Sequence, residues 1–152
     1  MRLSETPFPA LVCGLGGTIP FIFLSIGVYV FPYEWKLIAL YNLLNYSVIV
    51  LSFLGAVHWG VAIYNKNKNS KVYVWSVIPA LASWFILMGF TTNYIIIILF
   101  LILCFAVTYY VDLLSTRKSI FPAWYLRLRK LFTIVVFICL GFVAIAINNQ
   151  YV

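Results

Sequence analysis

The sequence is poor in charged residues, above all in acidic ones. Only 9% of its 152 residues are charged, and three of these are acidic. A soluble domain has about 25% charged residues, so this chain lacks the side chains to form a water-facing surface. The deficit is deepest from Val72 to Val111, where 40 consecutive residues carry no charge. As one helix this stretch would extend about 60 Å, twice the roughly 30 Å hydrocarbon core of a bilayer. It therefore predicts two membrane spans joined by a hairpin at Thr91, Thr92 and Asn93.

Histidine and cysteine are also scarce, which limits the metal and redox sites that the chain could form. There is one histidine, and the three cysteines lie in separate apolar segments without a CxxC or Cys/His spacing. Such spacings are the signature of metal and redox sites. The sequence also shows no Ser/His/Asp set, phosphate-binding loop or pair of buried carboxylates. We therefore predict no catalytic residues, no metal and no cofactor, and these absences argue against an enzyme without deciding the question.

Apolar segments fill most of the chain, which is 65% hydrophobic. Each is close to the roughly 20 residues that a helix needs to cross a bilayer. Lipid offers no hydrogen-bond partners to the backbone, so the segments are predicted to be helical. The predicted fold is all-α, a single domain with five transmembrane helices. They cover residues 9–31, 40–64, 73–90, 94–114 and 130–147.

The loop charges predict an orientation. With five spans, nine of the ten basic residues fall on one side and only Lys36 on the other. Because Lys and Arg accumulate in cytoplasmic loops, the N-terminus is predicted inside and the C-terminus outside. The same distribution explains the net charge of +7 without a nucleic-acid partner.

The basic interfacial loop, residues 115–129, carries a further prediction. Trp124 and Tyr125 are typical anchors at the membrane interface, and Arg127 and Arg129 alternate with leucines. This pattern favours a short surface helix that binds anionic lipid headgroups. A plain orientation signal with an aromatic belt explains it equally well.

Small and polar residues recur on the second predicted helix. Asn45, Ser52, Ala56 and Gly60 follow one another at spacings of seven and four, so they share a helix face. Small residues let helix backbones approach closely in a membrane. We predict that this face packs inside the bundle.

His58 and Asp112 are the candidate functional pair. Both are predicted to lie near the inner ends of their spans, on the second and fourth helices, where they would meet if these helices are neighbours. Ionisable groups in membrane helices are costly, and histidine changes charge near neutral pH. The alternative is structural, with Asp112 paired to Arg117, Arg127 or Arg129.

Several local patterns resemble one known family. They include LGGTIPF at residues 15–21, LSFLGAVHWG at residues 51–60, and PAWY at residues 122–125. These patterns are similar to a family of small multi-pass membrane proteins of unknown function, domain of unknown function 3429, which includes transmembrane protein 69. Ala56 stands where a second glycine is expected. The resemblance implies a bacterial inner membrane, or the mitochondrial inner membrane if the source is eukaryotic, and no established activity.

Three functional hypotheses remain open. The leading one is a non-enzymatic accessory or assembly factor that binds a larger membrane complex, such as a respiratory one, or a homo-oligomer. The second is a small proton-coupled transporter that uses His58 and Asp112. A lipid-modifying enzyme ranks last, because no nucleophile–base pair is visible. No cleavable signal peptide or transit peptide is predicted.

Overall fold

A computed structural model describes residues 6–66, 69–88 and 93–149. In these ranges the chain forms five α-helices, each long and apolar enough to cross a membrane. The prediction of an all-helical, multi-pass protein is therefore confirmed. The helices are α1 (Phe8–Val30), α2 (Tyr33–Tyr64), α3 (Ser70–Leu87), α4 (Tyr94–Arg117) and α5 (Ala123–Asn148).

Proline and asparagine set the helix starts. Pro32 and Pro122 stand immediately before α2 and α5, where extended backbone leads into the first turn. Asn69 caps α3, since its side chain accepts a hydrogen bond from the Lys71 amide at 3.0 Å. Asn93 caps α4 in the same way through the Ile95 amide at 3.0 Å. Each cap satisfies an amide that would otherwise lack a partner at the helix start.

Two helices begin seven residues before their predicted spans. α5 begins at Ala123, so residues 123–129 are the first two turns of this helix and not a separate surface helix. α2 begins at Tyr33, seven residues before the predicted start. Hydropathy marks the part of a helix that is apolar enough for lipid, whereas the helix itself continues through interfacial residues such as Trp35. The predicted hairpin residues Thr91 and Thr92 lie outside the described residues.

Helices α1, α2, α4 and α5 share one core. Phe21 of α1 lies edge-on to Tyr46 of α2 and Phe105 of α4, with ring centroids 5.1 and 6.2 Å apart. Leu140 of α5 is fully buried in the same cluster. Hydrogen bonds between helices add to this packing, for example from the Tyr46 hydroxyl to the Gly17 carbonyl at 2.9 Å.

Helix α3 lies at the edge of this core and is attached mainly through small residues. Its buried residues are Ser76, Pro79 and Ser83. Gly55 of α2 faces the Ser76 carbonyl so closely that a Cβ atom on Gly55 would overlap with the carbonyl oxygen. A glycine at this position therefore lets the two backbones approach each other.

The predicted packing face of α2 is not the one that packs. Asn45, Ser52, Ala56 and Gly60 are all exposed, and a Cβ atom on Gly60 would meet nothing within 4 Å. The buried face instead carries larger residues, including Leu43, Leu51, Leu54 and His58. This prediction was wrong for the single chain, because larger apolar side chains fill the core and leave the small-residue face outside.

Candidate functional site

The charged centre of the bundle is Asp112, which contacts two other helices. His58 Nε2 lies 2.9 Å from Asp112 Oδ1, and Arg129 Nε lies 2.9 Å from Asp112 Oδ2. These contacts join α2, α4 and α5 at one point. Asp112 is only 1% exposed and Arg129 only 4%. The structure thus brings together the predicted pair, His58 and Asp112, and adds Arg129 as the arginine partner of the carboxylate.

Two threonines complete the network around the guanidinium group. Arg129 Nη1 donates to Thr133 Oγ1 at 2.8 Å, and Nη2 donates to Thr108 Oγ1 at 3.1 Å. The Thr133 hydroxyl itself donates to the Arg129 carbonyl at 2.8 Å, and the Thr108 hydroxyl to the Phe105 carbonyl at 2.9 Å. A hydroxyl has one proton and two lone pairs, so both threonines can accept from the arginine while donating to backbone.

Helical spacing explains how these residues meet. Thr108 and Asp112 are four residues apart on α4, and Arg129 and Thr133 are four residues apart on α5. Residues at this spacing lie above one another on the same helix face. Each helix therefore presents a polar pair, and the two pairs pack against each other between α4 and α5.

The network pairs two opposite charges. The carboxylate of Asp112 and the guanidinium of Arg129 are in direct contact, and His58 Nε2 donates to the other carboxylate oxygen, which can only accept. Buried ions are costly unless they are paired and hydrogen-bonded, and this arrangement meets both conditions. The network is therefore suited to hold three helices in a fixed arrangement.

An aromatic lid covers His58 on one side. The His58 ring lies edge-on to Phe121, with centroids 4.9 Å apart, and Phe121 lies 4.7 Å from the Tyr125 ring. Phe121 is buried although it belongs to the short connection between α4 and α5. This connection thus folds back over the network and shields it from water.

His58 also reaches a cavity on another side. The cavity has a volume of about 270 Å³ and lies between the end of α2, the start of α3 and the end of α4. Lys71 and Lys118 line it together with His58. His58 is therefore the residue that links the buried ion network to a space that can admit a ligand.

The predicted headgroup residues take separate positions. Trp124, Tyr125 and Arg127 are half-buried near the start of α5, with the Trp124 and Tyr125 ring centroids 6.4 Å apart. Arg127 lines an open groove between α4 and α5 together with Lys130. Arg129 differs from its predicted role. Its guanidinium group is buried against Asp112 and two threonines, so it is not available to lipid headgroups.

The alternation of Arg127, Arg129 and Lys130 obscured this difference in the sequence. Positions along a helix are rotated by about 100° per residue, so neighbouring cations point in different directions. The signal that distinguishes Arg129 is Thr133 one turn later, paired with the Thr108 and Asp112 spacing on α4.

Comparison with known proteins places the chain in a family. Residues 6–145 match the family described as "Protein of unknown function (DUF3429)". The chain belongs to this family. Among its relatives, transmembrane protein 69 of Xenopus tropicalis is 32% identical over 136 residues, which cover 88% of this chain and 52% of the frog protein. The chain thus spans about half the length of that relative. No solved structure matches. The predicted resemblance is confirmed, and membership in DUF3429 carries no assigned activity.

Proposed function

We propose that the protein is a non-enzymatic accessory protein that binds, or helps to assemble, a larger complex in an inner membrane. The observation that carries this proposal is the closed network around Asp112. Each carboxylate oxygen already has a partner, and the guanidinium group bonds to the carboxylate and two hydroxyls. Such a network favours a rigid scaffold over a group that must exchange protons in each cycle.

The exposed face of α2 supports this proposal. Ser52, Ala56 and Gly60 face outward, as does Asn45. In lipid, small residues allow close helix contact and polar residues form hydrogen bonds between helices. A partner helix from another subunit would use these features, whereas lipid tails would not. The complex that contains such a subunit could be a respiratory one or a homo-oligomer.

The proposed orientation follows from the charged end of the bundle. Lys66, Lys71, Arg117 and Lys118 lie at the ends of α2 and α4 and the start of α3. We call this the basic end. By the positive-inside rule it faces the bacterial cytoplasm, or the mitochondrial matrix in a eukaryote. The N-terminus would then be inside and the C-terminus outside.

The test is a tagged purification from native membranes in mild detergent, with mass spectrometry of the bound proteins. We expect a stoichiometric membrane partner that is lost from the Gly60→Leu variant. Gly16→Leu is the matched control, since Gly16 on α1 is also exposed and has nothing within 4 Å of an added Cβ. Recovery of a solitary monomer, with no partner in native membranes, would contradict the proposal.

A second function, a proton-coupled carrier, is favoured by one observation. His58 contacts Asp112 and also lines the cavity at the basic end. Protonation of His58 would therefore change the charge of the cavity lining. This hypothesis predicts that His58→Gln abolishes uptake of a substrate by membrane vesicles while the protein level stays normal. Uptake unchanged in that variant would exclude the carrier hypothesis.

A further inference from the structure

The polar residues that line the cavity at the basic end are all neutral or basic. Its polar lining consists of His58, Asn65, Lys71, Trp75, Ser115 and Lys118. We call this space the basic cavity. Among the described residues no carboxylate lines it, and it is formed by α2, α3, α4 and the residues that follow α2 and α4. The remaining walls are apolar, with Val72 and Leu114 as examples.

The two lysines supply positive charge, and no described residue of the cavity lining carries a negative charge. Lys71 is at the start of α3 and Lys118 directly follows α4, so they approach the cavity from different helices. Both are exposed, and neither forms an ion pair within residues 6–66, 69–88 and 93–149. Asp112, which contacts His58 from behind the cavity, is already paired with Arg129. The cavity therefore carries a charge of about +2 toward any ligand.

Trp75 adds a hydrogen-bond donor without an acceptor. Its indole Nε1 is buried and has no partner among the described residues. An indole nitrogen can only donate, and a buried donor without a partner costs free energy. This atom has almost no accessible surface, so a ligand in the cavity would reach it only after a shift of the indole ring. Because Trp75 lines the cavity, its fluorescence can report whether a ligand is bound there.

We propose that the basic cavity binds a phosphate group. Lysine is a common point-charge partner of phosphate, and a dianionic phosphate matches two lysines. Phosphate also has more acceptor oxygens than a carboxylate, so it can bond to Lys71 and Lys118 at the same time. The volume of about 270 Å³ compares with about 30 Å³ for one water in the liquid. A phosphate ester with a few carbon atoms therefore fits, and the apolar walls accommodate those carbons.

The phosphate can come from the aqueous phase or from a phospholipid, and two binding assays distinguish these sources. The full-length protein is purified in a maltoside detergent, which contains no phosphate. In the first assay glycerol 3-phosphate is titrated while tryptophan fluorescence is recorded, with Trp75→Phe identifying the signal from Trp75. In the second, phosphatidic acid is added and bound lipid is counted by native mass spectrometry. Sodium chloride at equal ionic strength serves as the blank in both.

A pair of double variants decides whether the cavity is the site. Lys71→Gln with Lys118→Gln removes two charges from its lining. Lys66→Gln with Arg117→Gln removes two exposed charges from the same end of the bundle, outside the lining. We expect the first pair to weaken binding at least tenfold and the second pair less than twofold.

Each outcome is decisive. Saturable binding of glycerol 3-phosphate with this variant pattern supports a soluble phosphate ligand. Retention of phosphatidic acid alone, with the same pattern, supports a phospholipid headgroup. The proposal is overturned if neither probe binds. It is also overturned if both double variants lose binding equally, because binding would then depend on the total charge of the basic end and not on the cavity.

Discussion

Gly55 of α2 packs directly against the backbone carbonyl of Ser76 on α3, and a Cβ atom at Gly55 would overlap with that oxygen. Backbone on one helix therefore meets backbone on the next, with no flexible side chain between them. Gly60, on the same helix, has no atom within 4 Å of an added Cβ. The two glycines thus form a natural pair for testing how α3 is attached.

Gly55→Ala is expected to destabilise the protein, by about 1–3 kcal/mol, because the added methyl group must push α3 away. Gly60→Ala is expected to be neutral or slightly stabilising, since alanine is favoured over glycine in a helix by up to about 1 kcal/mol. Thermal unfolding of the purified protein in detergent measures both. Equal shifts in Tm would show that the Gly55–Ser76 contact does not govern stability.

Breaking the Asp112–Arg129 pair is expected to cost far more than a surface charge. Asp112→Asn or Arg129→Gln leaves one buried charge without its partner, at a cost of about 3–5 kcal/mol. Removing both, as in Asp112→Asn with Arg129→Gln, leaves no uncompensated charge. The double variant should therefore be more stable than the sum of the single effects predicts.

A double-mutant cycle on unfolding free energies tests this coupling, which we expect to lie in the range of about 0.5–3 kcal/mol. Simple additivity of the two single changes would mean that the residues do not interact.

The role of His58 as a donor to Asp112 predicts a difference between two substitutions. His58→Ala leaves Asp112 Oδ1 without this donor, which costs about 1–3 kcal/mol for a buried acceptor. His58→Gln keeps an N–H group of similar reach, so its stability should be closer to that of the unchanged protein. The comparison needs only the Tm of each variant in the same detergent. Identical losses would indicate that ring packing against Phe121, and not the hydrogen bond, is what matters.

The outward position of Ala56 predicts tolerance of bulk in the single chain. Ala56→Leu should change the unfolding free energy of the detergent-solubilised monomer by less than about 0.5 kcal/mol, as for other exposed sites. Leu54→Ala, at a buried position two residues earlier, should cost about 2–5 kcal/mol. A large loss for Ala56→Leu would show that this face packs within the bundle after all.

The proposed orientation predicts which loops a membrane-impermeant thiol reagent can reach. In a variant without native cysteines, Ser119→Cys lies at the basic end and Glu34→Cys at the opposite end. We expect Glu34→Cys to react in intact cells and Ser119→Cys only after permeabilisation. The reverse labelling pattern would show that the N-terminus is outside and the C-terminus inside.

The sequence points to His58 and Asp112 because an ionisable residue in an apolar helix is rare and costly. It does not distinguish Arg129 from Arg117 and Arg127, since all three are near the same helix ends. The choice depends on helix rotation: Arg129 faces α4 and the Thr108–Asp112 pair, whereas Arg127 turns toward the groove that Lys130 also lines.

The small-residue pattern of α2 shows a similar limit. Spacing groups Asn45, Ser52, Ala56 and Gly60 on one face, which is what the structure has. Spacing does not say what that face contacts. Gly55, the glycine that does make a close contact, lies outside this pattern, so the spacing does not identify it.

By itself, the sequence determined the membrane class, the helical secondary structure and the five candidate spans. These depend on local sums of hydropathy and on the need to satisfy backbone hydrogen bonds in lipid, which each segment meets alone. Only the tertiary structure decided that Arg129 pairs with Asp112, that Gly55 meets Ser76, and that two lysines and Trp75 line one cavity. Those contacts depend on how all five helices are rotated and packed together, and no single segment contains that information.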